Sequence, residues 1–277
     1  MPELPDVEGF RQVLLSCGRG CRVTGVRVRD AGVLRGVSAP RLRSVLEGRR
    51  LGTPWRHGKW LFVPVEDGGP ARGVAPRREG AAGAEGPVLA FHFGMTGSLR
   101  CCARDEAPAP HDRIVFTLDG PRSLRYRDQR KLQGVRLTDA AGVDRICEGL
   151  GPDALSVHKP EFRDALAGRR GTVKSELMDQ SVIAGLGNLL RDEILWRARV
   201  APRTAARDMD ERTLRGVHTA MGRVLKTSVH DRRVPPRRGW LTGRRDDGDP
   251  HCPRCGSRLR SGRVSGRRTV WCPVCQP

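Results

Sequence analysis

The chain has little of what a membrane or secreted protein needs. Its 277 residues contain no apolar run of about 18 residues, the length that spans a bilayer. The first ten residues, MPELPDVEGF, are acidic and rich in proline, whereas a signal peptide has a basic start followed by an apolar stretch. We therefore expect a cytosolic protein without a membrane partner.

Lysine is scarce in a chain that is otherwise strongly basic. Only five of the 51 basic residues are lysines, and with 31 acidic residues the formal net charge is +20. A cationic surface gains affinity for a polyanion because its binding releases counterions from phosphates. Base composition also produces arginine-rich surfaces, so charge alone does not decide the partner. The hydrophobic share of 38% argues against a wholly disordered chain.

The first half of the sequence is typical of a β-sandwich or barrel. Short apolar stretches between turn residues predict strands at 23–28, 60–65, 88–93, 113–118 and 135–137. Val7, Phe10 and Leu14 share one face at helical spacing, which predicts an early helix. Residues 66–87 consist almost entirely of Gly, Ala, Pro, Arg and Glu, and we expect a flexible surface insertion there.

The periodicity changes after about residue 150 and predicts helices. They are expected at 161–166, 175–178, 188–196 and 208–226. The apolar stripe of the last helix is interpreted as ordinary core. The glycine-rich stretch 184–187 separates two helices and predicts a tight turn.

Four of the nine cysteines form two CxxC pairs, Cys252 with Cys255 and Cys272 with Cys275. Two such turns can supply the four sulfur ligands of a tetrahedral zinc ion. Disulfides are disfavoured in a cytosolic protein, and a redox CxxC motif needs no second copy. We expect one structural zinc ion, because the closed ligand set leaves no position for a substrate. The other five cysteines show no such pairing and are expected to be buried or incidental.

The first residues carry a possible nucleophile. Removal of Met1 would leave Pro2 with a secondary amine, and an α-amino group titrates close enough to neutral pH for part of it to be nucleophilic. An amine of this kind can attack the anomeric carbon of a sugar and form a Schiff base. Glu3 is adjacent and can act as general acid and base. Many proteins begin Met-Pro, so this segment alone does not decide a catalytic role.

Eight blocks follow one another in a fixed order along the chain. They are PELPDVE at 2–8, the lysine of RHGKWLFV at 59, HFGMTGSLR at 92–100, HDRIVF at 111–116, LRYRDQRK at 124–131, LGPDAL at 150–155, KSELMDQSVIAGLGNLLRDEILW at 174–196, and CPRC with RRTVWCPVCQ at the end. Together they resemble the formamidopyrimidine-DNA glycosylase and endonuclease VIII family of base-excision repair enzymes.

The resemblance implies an α+β chain. It implies an N-terminal β-sandwich domain over residues 1–137, a helical domain with a helix–two-turn–helix motif over 150–230, and a four-cysteine zinc finger over 248–277. Damaged double-stranded DNA would lie in the cleft between the domains. We expect a monomer in the bacterial cytosol, associated with the nucleoid, that uses no nucleotide cofactor.

The resemblance also assigns three catalytic residues. Pro2 would be the nucleophile once Met1 is removed, and Glu3 would be its acid–base partner. Lys59 would contact phosphate and assist catalysis. The alternative for Lys59 is an exposed strand lysine, although a lysine among so many arginines weakly indicates a need for an ammonium group.

Six DNA-binding residues are implied in the same way. Asn188, Lys174 and Arg267 would bind phosphates, and a glycine-lined helix start such as that at Asn188 is a natural phosphate site. The alternative for Asn188 is a helix cap, and Arg268 could share the role of Arg267. The last three would fill the gap left by a flipped nucleotide: Met95, Arg130 and Leu132. Core packing is the alternative for Met95.

Three departures from the family pattern bear on specificity. Asp6 stands where glutamate is usual, and its side chain has a shorter reach. Leu132 follows Arg130 and Lys131 where the family has an aromatic residue, so the opposite base could be read differently. Residues 229–250 lack the longer Gly- and Tyr-containing stretch that caps 8-oxoguanine in formamidopyrimidine-type enzymes. We therefore expect oxidised pyrimidines or bulky or alkylated lesions rather than 8-oxoguanine.

The sequence thus predicts a bifunctional DNA glycosylase and abasic-site lyase that acts through a Schiff base on the N-terminal proline. A noncatalytic damaged-DNA-binding protein of the same fold is the alternative. A zinc-ribbon RNA-binding protein would explain the charge and the cysteines but not the N-terminus.

Overall fold

A computed structural model describes residues 1–67 and 86–277. The chain forms two compact units, one of Met1–Pro2 with Val7–Glu148 and one of Glu3–Asp6 with Gly149–Pro277. The segment Glu3–Asp6 therefore belongs to the second unit although it opens the chain. Most of the insertion predicted at 66–87, namely residues 68–85, lies outside the described residues.

The first unit contains the predicted two-sheet architecture. One sheet has the order β1-β7-β8-β6, and the other has β2-β4-β5-β9 with β3 beside β4. The strands are β1 (Val23–Val28), β2 (Arg50–Leu51), β3 (Trp55–His57), β4 (Trp60–Glu66), β5 (Val88–His92), β6 (Ser98–Ala103), β7 (Asp112–Leu118), β8 (Arg122–Arg127) and β9 (Gly134–Thr138). The five predicted strands are present, while β2, β3, β6 and β8 were not predicted.

Helices accompany the sheets at three places. Helix α1 (Leu4–Cys17) packs the predicted apolar face, with Val7 and Leu14 in the core between the sheets. Helices α2 (Ala39–Leu46) and α3 (Ala140–Glu148) were not predicted. Ser38 caps the start of α2 by accepting a hydrogen bond from the backbone of Arg41.

A disulfide joins Cys17, the last residue of α1, to Cys101 in β6. The expectation that these two cysteines are merely buried or incidental was wrong. They are separated by 84 residues in the sequence, so no local spacing indicates that the helix end and the strand meet.

The second unit is helical, as predicted. Its helices are α4 (Lys159–Leu166), α5 (Val173–Glu176), α6 (Asn188–Ala198) and α7 (Glu211–His230). Turns at residues 177–178 and 180–182 separate α5 from α6, which gives the helix–two-turn–helix arrangement. The apolar stripe of α7 contributes Val217, Met221 and Val224 to the core, as interpreted from the sequence.

The chain ends in a small hairpin of β10 (Arg260–Val264) and β11 (Arg267–Trp271). Ser265 and Gly266 both have positive φ, which matches the two-residue turn that suits the twist of a hairpin. Within residues 1–67 and 86–277, no helix has both the length and the apolar character needed to cross a bilayer.

Candidate active site and nucleic-acid interface

The carboxylate of Glu3 occupies the N-terminus of helix α6. Its Oε1 accepts a hydrogen bond from the backbone N of Leu189 at 2.8 Å, and its Oε2 accepts one from that of Leu190 at 3.1 Å. The residue is buried. The partial positive charge of the helix start favours an anion at this place. The helix start was expected to bind a DNA phosphate, but these two donors are used by Glu3.

The glycine-rich turn makes room for this contact. A Cβ on Gly187 would lie 1.9 Å from Cδ of Glu3, and one on Gly185 would lie 2.5 Å from Cδ1 of Leu4. Gly185 also has φ of +108°, which side chains rarely allow. Its carbonyl accepts the backbone N–H of Leu4 at 3.1 Å. The predicted tight turn therefore holds the first residues of the chain.

Asp6 fixes the backbone of Glu3 from the other side. Its Oδ2 accepts the N–H of Glu3 at 2.8 Å, so Asp6 closes the reciprocal half of a capping box at the start of α1. The shorter side chain thus still reaches its partner. Burial raises the pKa of Asp6 to about 6, and the nearby negative charge of Glu3 acts in the same direction.

The predicted lysine of the first unit, Lys59, lies in the tight turn between β3 and β4 and is half-buried. It is therefore not the exposed strand lysine of the alternative interpretation. Burial and then the charge of Lys59 lower the pKa of His92 to about 4. Nδ1 of this ring accepts a hydrogen bond from the backbone N of Gly94 at 3.2 Å.

Two of the three predicted gap-filling residues contact each other in the first unit. Nη1 of Arg130 donates to Sδ of Met95 at 2.9 Å, and the backbone N of Arg130 donates to Oγ1 of Thr96 at 2.9 Å. Met95 is half-buried in the turn before β6, not in a core cluster. Leu132 is 50% exposed. All three side chains are at least partly exposed, and their role in filling the gap stays a prediction.

Lys174 is not placed as the resemblance implied. Its side chain is fully buried, and Nζ donates to Oδ1 of Asp192 at 2.5 Å and to Oγ1 of Thr269 at 2.8 Å. The carbonyl of Arg268 accepts a third hydrogen bond at 3.3 Å. An ammonium group has three donors, so this lysine has none left for a phosphate.

The side chains of Asn188 and Arg267 differ in their hydrogen-bond partners. Nδ2 of Asn188 donates to the carbonyl of Arg268 at 2.9 Å, and Gly187 rather than Asn188 is the N-cap of α6. In the described part of the chain, the exposed guanidinium of Arg267 makes no hydrogen bond or ion pair. Arg268, by contrast, is bound to Asp246 and to the carbonyl of Arg245. Arg267 is therefore a hairpin cation whose guanidinium is available, unlike that of Arg268.

The four predicted cysteines converge at the C-terminal hairpin. The sulfur atoms of Cys252, Cys255, Cys272 and Cys275 all lie within 4.8 Å of one another. Four thiolates at this spacing fit a tetrahedral metal ion, and four sulfur ligands favour zinc or iron–sulfur chemistry. The cluster can thus hold a metal ion that joins the two CxxC turns.

Two family models match this chain. One, described as the formamidopyrimidine-DNA glycosylase N-terminal domain, matches residues 1–135, and one described as the formamidopyrimidine-DNA glycosylase H2TH domain matches residues 150–234. The chain belongs to the formamidopyrimidine-DNA glycosylase family. The contacts of Glu3 and the cysteine cluster therefore lie within the fold of this glycosylase family.

Curated relatives in the glycosylase family match along the whole chain. The formamidopyrimidine-DNA glycosylase of Pelotomaculum thermopropionicum is 30% identical over 292 residues, covering 100% of this chain and 99% of the relative. That of Symbiobacterium thermophilum is 33% identical over 302 residues, covering 100% and 90%. A solved complex of Lactococcus lactis Fpg with DNA containing an abasic site has a TM-score of 0.84 at 23% identity, covering 99% of each chain. This likeness to a solved structure shows the fold.

Sequence reasoning missed one charged residue beside Glu3 in this glycosylase. Arg191 is 4% exposed, and its Nε has no hydrogen-bond partner among the described residues. Burial lowers its pKa to about 10, while the negative charge of Glu3 opposes that shift. The sequence did carry one signal for Arg191. This residue lies one helical turn after Gly187, so both residues lie near the start of α6.

Proposed function

We propose that the chain is a bifunctional DNA glycosylase and abasic-site lyase of base-excision repair. The amine of Pro2, freed by removal of Met1, attacks the sugar of a damaged nucleotide in double-stranded DNA. The base leaves, a Schiff base remains on the enzyme, and elimination cuts the strand. Met1 is 50% exposed, which suits its removal.

The docking of Glu3 on helix α6 is the observation that supports this proposal most strongly. Two backbone hydrogen bonds hold the carboxylate, and the residue is covalently next to Pro2. A fixed carboxylate beside an amine can take and return protons during attack and elimination. The alternative, a noncatalytic damage-binding protein, has no need for a carboxylate held in this way.

The DNA contacts of the proposed enzyme are divided between residues of both units. Lys59, Asn188 and Arg267 are proposed to bind phosphates. Met95, Arg130 and Leu132 are proposed to fill the space of the flipped nucleotide. Zinc is proposed as the ion of the cysteine cluster, where it would stabilise the hairpin and take no part in the chemistry. The enzyme is proposed to act as a monomer without a nucleotide cofactor.

The segment 229–250 supports a preference for lesions other than 8-oxoguanine. Glu193 in α6 is buried and accepts hydrogen bonds from the backbone N and Oγ1 of Thr242 at 3.1 and 3.3 Å. Arg245 pairs with buried Asp192 at 3.0 Å. A short segment fastened to α6 is poorly suited to fold over a base, so we propose oxidised pyrimidines or bulky or alkylated bases as substrates. The names of the relatives add formamidopyrimidines to the lesions that need testing.

A panel of lesion duplexes tests both parts of this proposal. Native protein lacking Met1 is incubated with duplexes that carry an oxidised pyrimidine, a formamidopyrimidine, an alkylated base, 8-oxoguanine or an abasic site. Base release and borohydride trapping are measured. We expect trapping on the abasic duplex and faster release of oxidised pyrimidines than of 8-oxoguanine. Binding to the abasic duplex without any trapped adduct would support the noncatalytic alternative, and preferred release of 8-oxoguanine would refute the lesion preference.

A further inference from the structure

Lys174 lies at the centre of a buried charge network in the second unit. Its partner Asp192 is 2% exposed and also accepts hydrogen bonds from Nη1 of Arg245 at 3.0 Å and from the backbone N of Val270 at 3.3 Å. Burial lowers the pKa of Lys174 and raises that of Asp192, and the attraction between the two charges opposes both shifts. A network of this kind is retained only where its geometry satisfies the charges, because an unpaired buried charge is strongly unfavourable.

The network joins the hairpin to helix α6. Lys174 is in α5 and Asp192 is in α6, while Thr269 and Val270, to which they bind, are both in β11. Asn188 at the start of α6 adds a further bond to the carbonyl of Arg268. Four hydrogen bonds therefore fix the first residues of β11, two of them from Lys174 in α5 and one each with Asn188 and Asp192 in the half of α6 whose start also holds Glu3.

Arg267 is the first residue of this strand. Its neighbours at 268, 269 and 270 are all fastened by the network, whereas its own guanidinium is exposed and, in the described part of the chain, makes no hydrogen bond or ion pair. A cation on a fixed backbone loses less freedom when it binds a phosphate than one on a loose hairpin, so its affinity is higher.

We propose that Lys174 is a positioning residue for DNA binding, which fastens β11 to helix α6 so that Arg267 is presented to a phosphate. This inference rests on the proposed function. It replaces the direct phosphate contact that the resemblance implied for Lys174. The buried pair of Lys174 and Asp192 instead raises the affinity with which Arg267 binds DNA.

A double-mutant cycle separates positioning from direct contact. Zinc-loaded Lys174→Met, Arg267→Ala and the double variant are compared with wild type for affinity to a duplex that carries a tetrahydrofuran abasic analogue, over a series of salt concentrations. We expect each single variant to bind about tenfold more weakly and to lose about 0.9 from the slope of log affinity against log salt. The double variant should match Arg267→Ala in both quantities.

Additive losses in the double variant, with a second decrease in the salt slope, would overturn the inference in favour of a direct phosphate contact. Unchanged affinity in Lys174→Met would also overturn it. Lys226→Met is the matched control, because it makes the same chemical change at an exposed position of α7 and should bind like wild type apart from the loss of one distant charge.

Zinc content and thermal melting show whether Lys174→Met is folded. If it is not, Thr269→Val removes one bond from the ammonium group while leaving the charge pair intact. Its smaller loss of affinity should likewise vanish in the Arg267→Ala background, and an additive loss would refute positioning. Failure of wild type to bind or be trapped on abasic DNA refutes the proposed function itself, whereas trapping by wild type together with an additive cycle refutes only the role of Lys174.

Discussion

The substitution Gly187→Ala is expected to displace Glu3 without disturbing the backbone. Gly187 has φ of −108° and ψ of −172°, an extended conformation that alanine adopts freely. The new Cβ would lie 1.9 Å from Cδ and 2.1 Å from Cγ of Glu3. Because both atoms belong to a flexible side chain, the clash is relieved when Glu3 swings away from α6.

The expected loss follows from the two hydrogen bonds that Glu3 would give up. A hydrogen bond to a charged group contributes about 1.5–3 kcal/mol, so at least about 3 kcal/mol of the free energy that holds the carboxylate is lost. At about 1.4 kcal/mol for each factor of ten, the single-turnover rate of strand cleavage at an abasic site should decrease at least about 100-fold.

Single-turnover cleavage of an abasic duplex measures this effect. Gly222→Ala is the matched control, because a new Cβ on Gly222 in α7 would meet no heavy atom within 4 Å apart from its chain neighbours and the nearby backbone of its own helix, and its rate should equal that of wild type. In a Glu3→Ala background, Gly187→Ala should change the residual rate no further. A wild-type rate in Gly187→Ala, or an additional decrease in the double variant, would refute the proposed positioning of Glu3.

Three further substitutions test separate parts of the structure. The pKa of Asp6 in the folded chain, about 6, lies above its ordinary value of 3.8, so the stabilising contribution of Asp6 is full below pH 3.8 and is lost as the pH rises through about 6. Asp6→Asn should therefore raise the melting temperature at about pH 8 and not at about pH 3. An equal shift at both pH values would contradict this. Cys17→Ser removes the disulfide that closes a loop of 84 residues and should cost about 4 kcal/mol of unfolding free energy in denaturant titrations. A reductant should reproduce this loss in wild type, whereas Cys102→Ser, which changes a free cysteine, should not show it. Leu132→Ser should weaken binding to the abasic-analogue duplex and leave the melting temperature within about 1 °C, because the side chain is half exposed; a large loss of stability would show that it packs instead.

Strand β8 shows why part of the fold could not be predicted from the sequence. Its sequence, RSLRYR, has too many charges for a typical strand, yet Arg125 is 1% exposed. The guanidinium is satisfied by Asp112 and Glu106, which are 13 and 19 residues away in the sequence, and by backbone carbonyls. Strands with alternating apolar residues, such as β1 and β7, needed no such distant partner and were predicted.

The candidate site was predictable as a set of residues but not as a set of contacts. The glycine-rich turn before Asn188 indicated an anion site, and the anion proved to be Glu3, 186 residues away from Leu189 in the sequence. The family resemblance implied a phosphate contact for Lys174, but its burial follows from Asp192 and Thr269, which only the folded chain brings to it. Local spacing was sufficient for the cysteine cluster, because each CxxC turn places two of its ligands by itself.

Peptide mapping of the trapped adduct tests the central claim most directly. Native protein is reduced with borohydride on an abasic duplex and digested, and the modified peptide is sequenced by mass spectrometry. The proposed mechanism predicts that Met1 is absent and that the deoxyribose remnant is attached to the nitrogen of Pro2. Attachment to a lysine such as Lys59, or the absence of any adduct in protein that lacks Met1, would contradict it.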